Sequence, residues 1–186
     1  MHRHGLLMDT LREFMIKQGF SSNIINQDWT QIWAINKKHI DPIAPRHTAI
    51  NTKEMVEATI TGAREALWSE WKPKHTKNPS LGVKKVFYSK NIYIDQQDAF
   101  SFDDDEEITL MGWGNAIDKL EKEDNLADFL TPETEFRTEA VADCNALSLA
   151  EGDIIQFERK GEYRVDEPFQ HGKAAVLFEI PTGKTK

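Results

Sequence analysis

The chain contains little cysteine and no long apolar run. Cys144 is the single cysteine in 186 residues, which excludes an internal disulfide and a cysteine-based zinc site and favours a reducing compartment. No apolar run approaches the length of a membrane-spanning helix, and the first residues lack the apolar core of a secretory signal. We therefore expect a cytoplasmic protein with no membrane partner.

Catalytic motifs are absent as well. The sequence has no glycine-rich phosphate loop, no G-x-S-x-G, no H-E-x-x-H and no carboxylate pair that stands out from the acidic background. The six histidines lie in separate basic or loop contexts, a spacing that does not favour a metal site. We expect no catalytic residue, no metal ion and no cofactor in this chain.

The chain does have a strongly polarised charge distribution. The net charge is −8, which argues against a general nucleic-acid binder and against DNA as a partner. Residues 91–153 hold 3 basic and 18 acidic residues, a net charge of −15, so the remainder carries +7. Screening separates two such regions over a Debye length of about 8–10 Å, so the basic part can still follow a phosphate backbone.

Residues 33–48, WAINKKHIDPIAPRHT, organise the chain because a helix ends there and strands follow. Ile32, Ile35 and either His39 or Ile40 share one face of a helix over 29–39. Asp41-Pro42 ends this helix, since proline disfavours an α conformation in the residue before it. The segment from Pro42 to Pro45 is stiff and extended, and it directs Arg46 and His47 away from the helix.

An earlier helix is predicted over residues 6–19, which end at a glycine. Its predicted apolar stripe consists of Leu7, Leu11, Phe14 and Met15. We expect these two helices to form an αα unit.

After residue 48 the apolar period moves toward two, which predicts short strands. Residues 68–82 are rich in proline and lysine, so we expect a loop that exposes Lys72, Lys74, His75 and Lys77. The run 103–107 indicates a solvated acidic turn. Strands are predicted in 55–63, 84–88, 92–94, 105–117 and 135–142, with a short helix in 124–130.

The last part of the chain is predicted to contain a hairpin over 154–166 that turns at Lys160-Gly161. Its inward side chains are expected to be Ile155, Phe157, Tyr163 and Val165. Residues 174–180 are the most hydrophobic strand, which predicts a central position. Many short strands after a helical start indicate an α+β fold with a barrel or sandwich.

Four stretches resemble class I glutamyl-tRNA and glutaminyl-tRNA synthetases: INKKHIDPIAPRHTAI, KHTKNPSLG, LMGWGNA and IQFERKGEYRVD. The first resembles the junction between the connecting helices and the anticodon-binding barrels, and the last resembles the hairpin beside the unstacked anticodon. The W-G-N of the third stretch is similar to the archaeal and eukaryotic glutamyl branch, which favours glutamate over glutamine.

The resemblance implies a helical connector over residues 1–48 and a mainly antiparallel anticodon-binding β-barrel over 49–186. Between Ile117 and Ala127 the family has further strands of a distal barrel that this sequence lacks. Residues 118–135 are therefore a remnant of the distal barrel, which is reduced or missing. We expect a break or a shortened loop between Ala116 and Glu123.

The resemblance also implies residue roles. Arg46, Gln156 and Arg159 correspond to positions that read anticodon bases; alternatively, Arg159 pairs with Glu158 or Glu162 on a solvated strand face. Trp113 is a core residue or a stacking residue, and Asn115 is a weak contact candidate. Contacts to the tRNA backbone are expected from Lys37, Lys38, Lys72, Lys74 and Lys77.

The implied function is binding of the anticodon end of tRNA(Glu) for a glutamate–tRNA ligase. ATP and Mg²⁺ would serve the parent enzyme's own N-terminal catalytic domain, and this chain alone is expected to be catalytically inactive. Two alternatives remain: the anticodon domain of a glutaminyl-tRNA synthetase, and a non-catalytic scaffold module that contacts other synthetases or scaffold proteins through the acidic half.

Overall fold

The structure, a computed structural model, describes residues 2–19, 29–103 and 137–183. Its helices in these ranges are α1 (Met8–Gln18), α2 (Trp29–Ile40) and α3 (Gln96–Ser101). The strands in the same ranges are β1 (Arg46–His47), β2 (Ala49–Asn51), β3 (Met55–Thr59), β4 (Trp68–Pro73), β5 (Val83–Tyr88), β6 (Asn91–Asp95), β7 (Ala140–Ala142), β8 (Ile154–Phe157), β9 (Gly161–Glu167) and β10 (Val176–Glu179). No helix in these ranges is both long and apolar enough to cross a membrane.

The contact between α1 and α2 is built around a buried asparagine. The side-chain oxygen of Asn36 accepts hydrogen bonds from the Leu7 backbone and the Thr10 hydroxyl, and its amide group donates to the Gly5 carbonyl. The predicted apolar stripe of α1 is wrong as a packing face, because Met15 is 62% exposed while Thr10 is fully buried. A buried amide must be hydrogen-bonded, and Thr10 supplies a donor that an apolar side chain lacks.

Helix α2 follows its predicted pattern. Ile32, Ile35 and Ile40 are buried, and the helix ends one residue before Asp41-Pro42. Ile40 then forms a core cluster with Ala44 and Ile180. This cluster joins the end of α2 to the residue that follows the last strand.

The N-terminal segment closes onto the same core. The Arg3 guanidinium donates to both oxygens of Asp166 at 2.7 and 2.6 Å. Gly5 has a φ of 78°, and a Cβ at this position would lie only 2.4 Å from the side chain of Ile180. A glycine is required here both for the left-handed backbone and for the close approach.

The largest sheet has four strands in the order β1-β8-β9-β10. Strand β1 runs parallel to β8, whereas β8–β9 and β9–β10 are antiparallel. The predicted hairpin is confirmed: Ile155, Phe157 and Val165 are buried, and the half-buried Tyr163 packs against the same core. The central position predicted for residues 174–180 is wrong, because β10 lies at the end of the sheet.

Three two-stranded antiparallel sheets complete the described part: β2–β7, β3–β6 and β4–β5. The loop predicted for residues 68–82 is wrong over its first half, which is strand β4. Pro73 is compatible with this strand because it is the strand's last residue, and proline is tolerated at strand ends and edges.

The α+β class and the mainly antiparallel pairing are confirmed, but the described residues do not show a closed barrel. The strands predicted at 84–88 and 92–94 are present, although they pair with β4 and β3 and not with each other. The predictions for 105–117, 116–123, 124–130 and most of 103–107 lie outside the described residues.

Candidate nucleic-acid interface

Two of the three predicted base-reading residues lie side by side. The parallel register of β1 and β8 places Arg46 opposite Gln156. The Gln156 backbone donates to the Pro45 carbonyl, and the Glu158 backbone donates to the His47 carbonyl, both at 2.9 Å. Neighbouring strands lie about 4.8 Å apart, so these guanidinium and amide groups can address one bound ligand together.

Arg46 is also held by residues 74–77, the basic segment that follows β4. Its backbone N–H donates to the Lys74 carbonyl at 2.7 Å, and its Nη1 donates to the Thr76 hydroxyl at 3.2 Å. The Lys84 ammonium donates to the Arg46 carbonyl at 2.7 Å. Nε of Arg46 is buried and has no hydrogen-bond partner. The guanidinium is thus positioned with one donor left unused.

Gln156 lies next to an ion pair whose carboxylate is buried and whose lysine is partly exposed. Its Nε2 lies 3.5 Å from Oε1 of Glu162, which is only 2% exposed. Lys37 from α2 donates to both oxygens of Glu162, at 2.9 and 3.3 Å. The structure therefore places Lys37 in a structural pair behind Gln156, while its predicted phosphate contact stays a prediction. The pairing of Glu162 with Lys37 was not predicted, because a carboxylate in a hairpin gives no sign of a partner on a distant helix.

Arg159 lies at the tip of the β8–β9 hairpin, three residues beyond Gln156. It adopts a left-handed backbone conformation with φ of 64°. Its Nη1 and Nη2 lie 3.3 and 3.5 Å from the two carboxylate oxygens of Asp98, at the start of α3. Asp98 was not among the partners considered from the sequence, which were Glu158 and Glu162. The side chain remains 38% exposed, so its outer edge can reach a ligand.

A largely buried charge cluster that was not predicted from the sequence includes His47 of β1. Asp143 accepts from the Thr48 backbone at 2.9 Å and from Lys84 at 3.2 Å, and it lies 3.3 Å from His47. Burial alone would raise the pKa of Asp143, but the His47 hydrogen bond, the Lys84 charge and the Thr48 N–H offset burial and lower it far below its ordinary value. The alternation of inward and outward side chains along β5 could have indicated this cluster, because it turns Lys84 inward.

The predicted exposure of His75 is wrong. The ring is 1% exposed: Nδ1 accepts from the Lys77 backbone at 3.1 Å, so Nε2 donates to the Asp41 carbonyl at 2.9 Å. The ring satisfies a carbonyl at the end of α2 and fixes the basic segment against that helix.

The predicted backbone-contacting lysines differ in their surroundings. Lys38 and Lys77 are exposed, whereas Lys72 and Lys74 are half-buried. The Lys72 ammonium lies 5.3 Å from the centroid of the Tyr88 ring. Trp113 and Asn115, the weak contact candidates, lie outside the described residues.

Comparison with known families identifies the chain. A family model described as tRNA synthetases class I (E and Q), anti-codon binding domain, matches residues 44–137. A second model with the same description matches residues 115–166. The chain belongs to this synthetase family. The pairing of Arg46 with Gln156 thus lies within the span that these two anticodon-binding models cover.

Similar curated proteins carry matching names. The probable cytoplasmic glutamate–tRNA ligase of Schizosaccharomyces pombe is 40% identical over 240 positions, covering all of this chain and 33% of the relative. The cytoplasmic glutamate–tRNA ligase of Saccharomyces cerevisiae is 40% identical over 235 positions, again with all of this chain and 33% of the relative. That of Arabidopsis thaliana is 33% identical and covers 98% of this chain and 33% of the relative.

This synthetase chain thus spans about a third of the length of the curated relatives it matches. The alignment with the fission-yeast protein is 240 positions long, and this chain has 186 residues, so the relative carries at least 54 residues in this region that the chain lacks. A shortfall of this size agrees with the expectation of a reduced distal segment, whose position between Ile117 and Ala127 stays a prediction.

Proposed function

We propose that this chain binds the anticodon end of tRNA(Glu) as part of a cytoplasmic glutamate–tRNA ligase. The observation that carries the proposal is the direct pairing of Arg46 with Gln156 across β1 and β8. A guanidinium and an amide in adjacent, fixed positions offer planar donors and acceptors for the edges of bases that a folded RNA loop has turned outward.

Each residue has a role in this proposal. Arg46, Gln156 and Arg159 contact base edges, and Lys37 acts on Gln156 through the buried Glu162. Phosphates are held by Lys38, Lys72, Lys74 and Lys77, which have no ion pair among the described residues. Base contacts specify the tRNA, whereas phosphate contacts position it.

The parent enzyme would use ATP and Mg²⁺ to activate glutamate and transfer it to the tRNA, in the part of the protein to which this chain does not correspond. Its own catalytic domain is therefore a proposed partner of the chain, and other synthetases or scaffold proteins are further proposed partners.

Binding of tRNA by the 186-residue chain tests the proposal through Arg159. Arg159→Ala should weaken binding of tRNA(Glu) by about 1–3 kcal/mol and lower discrimination at one anticodon base, as expected for a lost base-edge contact. Calorimetry with tRNA(Glu) and with anticodon-swapped tRNA measures both quantities.

Asp98→Ala is the matched control, because it removes one intramolecular partner of Arg159 and keeps the guanidinium. This variant should retain both affinity and discrimination. A folded Arg159→Ala variant with unchanged affinity and unchanged anticodon preference would show that the hairpin does not read the anticodon.

A further inference from the structure

The β4–β5 hairpin has an outer face that carries exposed aromatic side chains. In the antiparallel register, Trp71 lies opposite Lys85, Ser69 opposite Phe87, and Pro73 opposite Val83. Because side chains alternate along a strand, these residues share one face. Trp71 is 68% exposed and Phe87 is 46% exposed, whereas Val86 on the opposite face is buried. Within the described part of the chain, the outer face is therefore an aromatic surface with no packing partner.

The two exposed rings are arranged with a cation next to them. Trp71 and Phe87 are diagonal neighbours across the strand pair, a relation that places their Cα atoms about 7–8 Å apart. Lys85 follows in the same row, and its ammonium lies 5.3 Å from the centroid of the Phe87 ring. The outer face thus combines two flat rings with a neighbouring positive charge.

The charge of the hairpin indicates what covers this face. Residues 68–90 contain six lysines and one acidic residue, in a chain whose net charge is −8. Lys84 and Lys90 pair with Asp143 and Glu65, so four lysines remain without an ion pair among the described residues. An apolar protein surface would not require this concentration of positive charge. Unpaired nucleotides supply both a phosphate chain and flat rings that stack on aromatic side chains.

The hairpin is also attached to the proposed base-reading residues. The Lys74 carbonyl, one residue after β4, accepts from the Arg46 backbone, and Lys84 of β5 donates to the Arg46 carbonyl. At about 3.3 Å per residue, Trp71 lies roughly 10 Å along the chain from Lys74. An RNA strand held at Arg46 can therefore reach the hairpin within a few nucleotides.

We propose that the outer face of the β4–β5 hairpin stacks unpaired bases of the bound tRNA on Trp71 and Phe87, with Lys85 beside their phosphates. The inference rests on the proposed function, because it takes the same RNA as ligand and adds a second contact. Stacking accepts any base, so this contact adds affinity without reading the anticodon sequence.

The test compares tryptophan variants of the 186-residue chain in binding to a tRNA(Glu) transcript. Trp71→Ala should raise Kd about 5- to 20-fold, since loss of one stacked base lowers affinity by about fivefold or more. Trp71→Phe keeps a ring and should stay within about twofold of the unmodified chain. Trp29→Ala is the matched control, because Trp29 is 57% exposed but belongs to α2.

Two further readouts separate stacking from base reading. Trp71→Ala should weaken binding of tRNA(Glu) and of anticodon-swapped tRNA by the same factor. Arg159→Ala, in contrast, is expected to weaken binding of tRNA(Glu) selectively. Intrinsic fluorescence should be quenched by tRNA in the unmodified chain, and the quenching should be smaller in Trp71→Phe. Phe87→Ala gives a second, independent variant with the same expected direction.

The outcomes distinguish the two proposals. If the unmodified chain binds tRNA but Trp71→Ala and Phe87→Ala bind equally well, the stacking surface is wrong and the proposed function stands. If the unmodified chain binds no tRNA, the proposed function fails and the stacking surface fails with it. If Trp71→Ala changes the sedimentation of the chain and not its RNA affinity, the face is a contact between two copies.

Discussion

The lysines that pair with carboxylates and the exposed lysines in and next to the β4–β5 hairpin are the same residue type in opposite settings. Lys37 holds the buried carboxylate of Glu162, and Lys84 holds the partly buried carboxylate of Asp143. Lys77 and Lys85 are exposed and have no ion pair among the described residues. A lysine held by a buried carboxylate stabilises the fold, whereas a solvated lysine can attract phosphate without an intramolecular competitor.

This difference decides which substitutions should affect folding and which should affect binding. The paired lysines should show their effect in the free energy of unfolding. The solvated lysines should show theirs in the affinity for tRNA and in its dependence on salt.

The largest effect is expected at Lys37. Lys37→Met leaves the carboxylate of Glu162 buried without a counter-charge, which should lower the free energy of unfolding by about 3 kcal/mol. Urea denaturation monitored by circular dichroism measures this loss. The double variant Lys37→Met with Glu162→Gln should recover a large part of it. A Lys37→Met variant within about 1 kcal/mol of the original chain would contradict the assignment of this pair as structural.

The next effect is expected at Asp143 and depends on pH. Asp143→Asn should destabilise the chain by about 2 kcal/mol near neutral pH, because nearly buried Lys84 loses its carboxylate. The pKa of Asp143 is lowered by folding, so the stability from its ionisation is present above the unfolded pKa of about 3.9 and is lost as pH falls toward the folded pKa.

Urea titrations at neutral pH and at successively lower pH values below about 4 test this dependence. The difference between the original chain and Asp143→Asn should shrink as the pH falls. A difference that stays constant over this range would show that the Asp143 charge does not contribute to stability.

The smallest effect is expected at Lys38, one residue from Lys37 but exposed on α2. Lys38→Ala should leave the unfolding free energy unchanged within about 0.5 kcal/mol. It should weaken binding of cognate and anticodon-swapped tRNA equally and reduce the salt slope by roughly one, since a phosphate contact releases a counterion and carries no sequence information. Filter binding at two salt concentrations checks both points, and a selective loss for cognate tRNA would refute the phosphate assignment.

Local periodicity predicted the elements whose pattern is determined by one buried face. Helix α2 and the β8–β9 hairpin follow from the apolar periods of 3.6 and 2 in their sequences. Helix α1 followed its period in extent, but its contact face could not be read because the contact is made by the polar pair Thr10 and Asn36. Strand β4 was missed because lysine and proline outweighed the alternating pattern.

The neighbours within the candidate site could not be predicted from the spacing of residues along the sequence. Arg46 and Gln156 are more than a hundred residues apart, and their adjacency was expected only from the family resemblance. Partners such as Glu162 for Lys37 and Asp98 for Arg159 are tertiary contacts, which no local pattern in the sequence specifies. His75 was expected to be exposed for the same reason, since its partner is a backbone carbonyl of another segment.

The cluster of Ile40, Ala44 and Ile180 has a consequence for how the chain folds. Two members come from the end of the helical segment and the third follows the last strand, about 140 residues later. Arg3 and Asp166 add a contact of even greater sequence separation. Such contacts raise the contact order. The chain must lose the entropy of closing these long loops before the contacts of the core can stabilise it. The helical segment and the four-stranded sheet therefore form their shared core in one step, and neither end of the chain completes this core without the other.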